Sequence, residues 1–175
     1  AKKLNDYCLD NFYDIESKMF FFTSKNDEFV IRRTLETTDN VIPSSNSIMA
    51  KNMFLLSKYF TKEGYLEKAS QMVKNMQDNF YKSGQSHANW MQLVLEQNNP
   101  FYEVAVVGDD YKEKATEIMK TYLPNAIFAG TSKESKLELL ENRHSPDETL
   151  IYVCQHGSCK LPQTEVKKAL EQLEN

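Results

Sequence analysis

The sequence predicts a chain of α + α/β class in two parts: helical hairpins over residues 1–100, then a small three-stranded parallel βαβαβα unit over residues 101–175. Three observations predict it. Apolar side chains recur at helical spacing through the first hundred residues. After NNPFYE (98–103) they collect instead into short runs, VAVVG, AIFAG and LIYVC, separated by stretches of helical pattern. The runs are continuous rather than alternating, as parallel strands covered on both faces require.

Taken in order, Leu4, Cys8 and Phe12 mark a first helix. The stretch 14–38 is long for a connection and carries FFFTSKNDEFVIRR (20–33), which reads as a β-hairpin or an extended loop. Met49, Met53, Leu56 and Phe60 form the apolar stripe of a second helix, and Tyr65, Ala69, Met72, Met76 and Phe80 that of a third. FTKEGY (60–65) is short enough to make those two helices antiparallel neighbours. A fourth stripe uses His87, Met91 and Val94. Hairpins of this kind, with long loops at one end, suggest a toroid or a bundle. In the second part, 104–108 is a strand; Tyr111, Ala115, Ile118, Met119 and Tyr122 mark a helix; and 126–130 is a second strand. A weaker helix is expected around 133–141, a third strand at 150–154, and a last helix with Val166, Leu170 and Leu173 inward. A unit of about seventy residues is small for independent stability and is expected to lean on the helical part.

Composition narrows the function classes. A net charge of −4 and a pI near 5.5, with lysines interspersed among glutamates, leave no basic face for nucleic acid. No apolar run approaches the roughly eighteen residues of a membrane helix. MFFF (19–22) is also too short for the apolar region of a signal peptide. Cys8, Cys154 and Cys159 are an odd, sparse set, unlike a secreted disulfide framework, which predicts a soluble chain in a reducing, cytoplasmic setting. The chain opens at AKKLNDYCLDNF, without an initiator methionine and already in helical pattern, so a fragment of something longer is expected.

Four stretches invite a chemical reading. In DNVIPSSNS (39–47) the proline turns Ile42 away from helical angles, and Ser44, Ser45 or Asn46 can each cap the helix that follows. One cap suffices. The surplus hydroxyls and free amides at a positive helix end suit a hydroxyl-rich or anionic ligand, so a purely structural cap and a ligand-touching one stay open. Upstream, Arg33, Glu36 and Asp39 are charged at three-residue steps. If they face a cavity rather than solvent, Glu36 and Asp39 are the carboxylate pair that general acid/base work requires. CQHGSC (154–159) admits packed reduced thiols, a reversible disulfide or, with His156, an incomplete metal site; four ligands are not in view, and no metal is expected. VVGDD places Gly108 where nucleotide folds bind phosphate, but a single glycine followed by two aspartates is explained by an acidic helix start, and no cofactor is expected. Finally, Phe20, Phe21 and Phe22, with His87 and Trp90, read as core or as a stacking surface for a sugar.

The order of FFFT, VIRRTLETTDNVIPSSNS, NPFYEVAVVG and IYVCQHGSCKLP resembles the C-terminal part of the YyaL family, thioredoxin-domain-containing proteins related to the spermatogenesis-associated protein of animals. The likeness covers essentially the whole chain. Arg33, Glu36, Asp39, Pro43, Ser44, Asn46 and Ser47 fall on that family's R-x-x-E-x-x-D-x-x-x-P-S-x-N-S pattern, and Cys154, Cys159 and Pro162 on its C-x4-C-x-x-P pattern. Ser45 departs from it, standing where many members have glycine. The resemblance implies a longer parent with a thioredoxin-like domain and an (α/α)6 toroid of the six-hairpin glycosidase and N-acylglucosamine 2-epimerase type, of which this chain holds the last hairpins and a C-terminal α/β segment. Two functions follow from it. In the first the parent is a sugar isomerase or hydrolase, with Glu36 and Asp39 as acid/base groups and Arg33, Ser44, Asn46 and Ser47 positioning a carbohydrate, this piece being inactive alone. In the second it is a protein- or glycan-binding scaffold serving the parent's redox domain. A severed toroid should also expose apolar helix faces, so self-association is expected.

Overall fold

The computed structural model describes residues 1–28, 31–61 and 64–173. Helices and a four-stranded mixed sheet, with a separate two-stranded hairpin, make up the fold. The contacts divide the chain into two compact units: Ala1–Ser57 with Glu63–Asn98, and Lys58–Lys62 with Asn99–Asn175.

In the first unit α1 (Lys2–Phe12) leads directly into a hairpin of β1 (Tyr13–Asp14) and β2 (Met19–Phe20). The stripe expected through Leu4 is displaced by one residue. Leu4 is exposed, and the residue that turns fully inward is Asn5. Asp6, one residue on, accepts the Tyr65 hydroxyl and pairs with Lys2 at 3.0 Å, which ties α1 to the start of a later helix. Beyond β2 the chain returns on itself. Phe21 bridges antiparallel to Leu35, and the amide of Phe22 donates to the carbonyl of Thr34. The expected hairpin or extended loop over 20–33 is thus a returning loop closed at its base; Phe29 and Val30, which that expectation included, lie outside the described residues.

Helix α2 (Ser45–Tyr59) is buried around most of its circumference, with Ala50, Met53, Phe54 and Leu56 in the core. Helix α3 (Tyr65–Ser83) is amphipathic, and Tyr65, Ala69, Met72 and Met76 are its buried row, the stripe read from the sequence apart from Phe80, which is half-buried. The linker that should make α2 and α3 antiparallel neighbours includes Lys62 and Glu63, which lie outside the described residues. A 3₁₀ turn at Gly84–His87 joins α3 to α4 (Ala88–Asn98), and α3, the turn and α4 lie against one another. Of the expected stripe His87 is buried, in the turn before α4, whereas on α4 itself the inward residues are Trp90 and Leu93 rather than Met91, which is exposed, and Val94, which is half-buried. Among the described residues no helix is long and apolar enough to cross a membrane.

The second unit is built on β3 (Tyr102–Val107), every residue of which is buried. Strand β4 (Ala126–Thr131) pairs with it in parallel through the right number of residues for α5 (Tyr111–Ile118) to cross between them. Helix α5 stops at Ile118, so Met119 and Tyr122, expected on its stripe, are exposed beyond its end. The remainder departs from a parallel unit. Strand β5 (Leu150–Gln155) runs antiparallel to β3, pairing Glu103 with Cys154 and Val107 with Leu150, and continues into β6 (Ser158–Cys159). The sheet order is β4-β3-β5-β6.

The missing helix explains the reversed strand. Parallel pairing needs a crossover that carries the chain back along the sheet. Here β4 ends opposite Val107 and β5 starts opposite the same residue, so the segment between them stays at one end. That segment forms turns where a helix was expected around 133–141. Its side chains satisfy its own backbone: Thr131 Oγ1 accepts from the Lys133 amide, Ser135 Oγ from that of Leu137, and Glu134 from that of Asn142. Such local bonds compete with helix formation. Helix α6 (Val166–Leu173) closes the unit, with Val166, Ala169 and Leu173 against Val104, Val106, Ile151 and Val153. Outside β5 the chain from 158 to 163 follows the strand's edge. Lys160 donates to Val153, and Ile151 and Gln163 exchange both backbone hydrogen bonds.

Candidate functional site

The segment from Glu36 to Ser47 gathers a cluster of polar groups, and Glu36, Asp39, Ser44, Asn46 and Ser47 are each bonded within the fold, while the buried Ser45 hydroxyl has no hydrogen-bond partner among the described residues. Ser44 caps α2: its hydroxyl accepts the amide of Ser47 at 3.2 Å, three residues into the turn. The amide of Ser45 goes to Glu36 Oε2 at 3.0 Å, that of Asn46 to the Glu36 carbonyl, and that of Ile48 to the Ser44 carbonyl. The free donors expected at this entrance are therefore absent over 44–48, because folded-back side chains and carbonyls from 36–44 already accept them.

Asp39 is the centre of the arrangement. It is buried, and its Oδ1 accepts from the Ser44 amide (2.9 Å) and the Ser47 hydroxyl (2.8 Å), while Oδ2 accepts from the Asn89 amide (2.9 Å) at the start of α4. One carboxylate thus sits at the N-terminal ends of two helices, where a negative charge is favoured. Burial pushes its pKa up, and the hydrogen bonds from Ser44, Ser47 and Asn89 outweigh that and hold it below the usual aspartate value. The same loop is fastened twice more. The Asp39 amide donates to the Ser86 carbonyl, and Trp90 Nε1 donates to the Thr37 carbonyl at 2.8 Å.

Asn46 does a comparable job on the other side. Fully buried, it accepts from the Phe20 amide at 2.7 Å and donates to the carbonyls of Phe20 and Glu36 at 2.8 and 2.9 Å. Its amide behaves as a strand partner for β2, so one side chain joins the hairpin, the returning loop and α2. Arg33 stands apart from this network. Its guanidinium lies over the Phe21 ring, 4.1 Å from the centroid, and donates to the Thr23 carbonyl.

The structure therefore brings Glu36, Asp39, Ser44, Asn46 and Ser47 together and leaves Arg33 on the neighbouring loop. Phe20 and Trp90 are core residues, and Phe22 is exposed. The donors of Asn89 and Trp90 and the carbonyls of Phe20, Thr37 and Ser86 complete the site; all but the indole are backbone groups, which residue type does not announce.

In the second unit the phosphate-turn position is filled from within. Gly108, at φ +135°, lies so close to Thr149 that a Cβ would come 2.5 Å from its Cα, and Thr149 Oγ1 accepts the Asp110 amide. Cys154 and Cys159 are joined by a disulfide across β5 and β6, not held as separate thiols. Two positive-φ residues, His156 and Gly157, make the two-residue turn between the strands, the conformation that matches strand twist. His156 thus serves the turn, and among the described residues no group of His, Cys, Asp and Glu is arranged to hold a metal ion. No protein-family model and no curated protein matches this chain.

Proposed function

We propose that this chain is the C-terminal part of a protein resembling the YyaL family, that its helical unit supplies the last hairpins of an (α/α)6 toroid, and that it serves there as a non-catalytic binding or scaffold module for the parent's other domains. One observation carries the choice against catalysis: both oxygens of Asp39 are engaged by donors of the fold, and the carboxyl is held ionised. A general acid needs a proton at working pH, and a base needs a free lone pair facing substrate. Asp39 is held ionised, so it has no proton to give, and it is buried with both oxygens turned to donors of the fold. The exposed Leu4, Tyr7, Ile31, Val41 and Ile42 support a unit built to meet further chain or a partner.

A second reading keeps a carbohydrate ligand, on the observation that Glu36 and Arg33 are only partly buried. Glu36 spends one carboxylate oxygen on the Ser45 amide, and Arg33 presents a stacked guanidinium. These are the groups of this region suited to bind sugar hydroxyls. A thermal-shift panel of mono- and disaccharides, N-acetylated and phosphorylated sugars included, on the wild-type chain and on Glu36→Gln separates the two. A scaffold that binds protein expects no shift with any sugar. A reproducible shift in the wild type that disappears in Glu36→Gln would replace it with the carbohydrate reading.

A further inference from the structure

We propose that the Cys154–Cys159 pair is a thiol–disulfide exchange site, polarised so that an incoming thiolate attacks Cys159 and Cys154 leaves. The two sulfurs are unequal. Cys154 is buried in β5, whereas Cys159 lies exposed in β6, the outermost strand of the sheet. Nη1 of Arg143 lies 3.0 Å from Cys154 Sγ, a hydrogen bond that becomes charge-assisted once that sulfur carries an electron pair. The guanidinium is fixed rather than mobile: it lies over the Tyr152 ring, 5.0 Å from the centroid, and the Tyr152 hydroxyl donates to the Arg143 carbonyl. Glu103, across the ladder from Cys154, would oppose a thiolate, but its carboxylate is paired with Lys58 at 3.1 Å. Arg143 is thus the charge that decides the matter. A positive neighbour lowers a thiol's pKa, and the better leaving group is the sulfur of lower pKa.

The chemistry balances with a dithiol as co-reactant. Its thiolate attacks Cys159 Sγ, forming a mixed disulfide as the Cys154–Cys159 bond breaks and its electron pair passes to Cys154 Sγ beside Arg143. The dithiol's second sulfur then attacks its own sulfur in the mixed disulfide and expels the Cys159 thiolate. The dithiol is oxidised to a disulfide, the pair is reduced by two electrons, and the dithiol's two protons end on the two cysteines. A cavity of about 230 Å³ lined by Tyr102, Gln155, Ser158 and Lys160, together with both cysteines, opens beside the bond and gives the reductant an approach.

The test uses the intact chain. Brief exposure to β-mercaptoethanol followed by N-ethylmaleimide and peptide mapping should find the mixed disulfide on Cys159 and the maleimide on Cys154; the reverse assignment overturns the proposal. Reduction by dithiothreitol should slow roughly tenfold in Arg143→Gln and stay within about threefold of wild type in Arg143→Lys, which keeps the charge. A rate unchanged in Arg143→Gln, or a wild-type bond that resists millimolar dithiothreitol in the folded protein, also overturns it. If Arg143→Gln fails to fold by circular dichroism, the site of trapping in the wild type decides.

Discussion

Replacing Asp39 by asparagine removes one charge and one acceptor from a place where three donors converge. The new amide oxygen can take the place of Oδ1 and keep Ser44 and Ser47. Its NH₂ group then meets the Asn89 amide, donor against donor. A lost hydrogen bond to a charged group costs about 1.5–3 kcal/mol, and losing a carboxylate at each of two helix starts adds about 0.3–1 kcal/mol apiece. The expected destabilisation is therefore about 2–5 kcal/mol. Urea denaturation followed by fluorescence reads it directly, because Trp90 is the chain's single tryptophan and its indole is bonded to Thr37, two residues from the mutation. With a slope of about 2 kcal/mol/M the midpoint should fall by about 1–2.5 M at unchanged slope. A loss below about 0.5 kcal/mol would refute the view that this carboxylate holds the helix ends. Acid supplies a second arm. The folded pKa lies below the ordinary 3.8 of the unfolded chain, so between the two values the unfolded state binds more protons and stability rises with pH. The Asp39 contribution is complete above the unfolded value and is lost as pH falls through the folded one. The gap between wild type and Asp39→Asn should be flat at neutral pH and close in strong acid.

Further substitutions have defined outcomes. Glu103→Gln removes the carboxylate that lies 3.1 Å from the buried Lys58 ammonium and should cost about 1.5–3 kcal/mol in a denaturant titration followed by circular dichroism. Asn5→Leu should raise the melting temperature, because both polar atoms of the buried Asn5 side chain have no hydrogen-bond partner among the described residues; a gain of about 1–2 kcal/mol is expected, and a loss would show that the amide has a role in the fold. Gly108→Ala should cost at least about 2 kcal/mol, since the added methyl meets the Thr149 backbone at a φ that L-residues avoid, whereas Gly157→Ala, with open space around it, should cost about 1 kcal/mol.

What could be read in advance depended on how many apolar faces a segment offers. Helix α3 offers one, and its buried row was legible from Tyr65 to Met76, with Phe80 at the far end only half-buried. Helix α4 carries Trp90, Met91, Leu93, Val94 and Leu95 in one stretch, so several phases compete, and only packing selects Trp90 and Leu93. In α1 an asparagine occupies the inward position and a leucine the outward one, which no apolar pattern can anticipate. The strand positions of β3, β4 and β5 follow from their continuous apolar runs, but the direction of β5 depends on whether 132–149 crosses the sheet, and a weak helical pattern could not decide that. For the polar site, the clustering of Glu36, Asp39, Ser44, Asn46 and Ser47 was visible in their spacing. Their partners were not, because Phe20, Thr37, Ser86 and Asn89 contribute backbone atoms. The disulfide had a legible signal in His156-Gly157, a two-residue turn that sets Cys154 opposite Cys159. Arg143 had none.

The chain from 158 to 163 alongside β5 bears on whether another copy can add a strand at this edge of the sheet. An open strand edge is a template on which another copy can add a strand, and sheets guard against this with short, charged or proline-bearing margins. Here the margin is two residues of β6, then Lys160, then Pro162, with Gln163 closing the last exchange with Ile151. Pro162 has no amide to offer a newcomer, and Lys160 sets an exposed ammonium beside it. The C-x4-C-x-x-P spacing thus finishes the sheet on that side: the cysteines fix the register of the final strand, and the proline ends its capacity to recruit another.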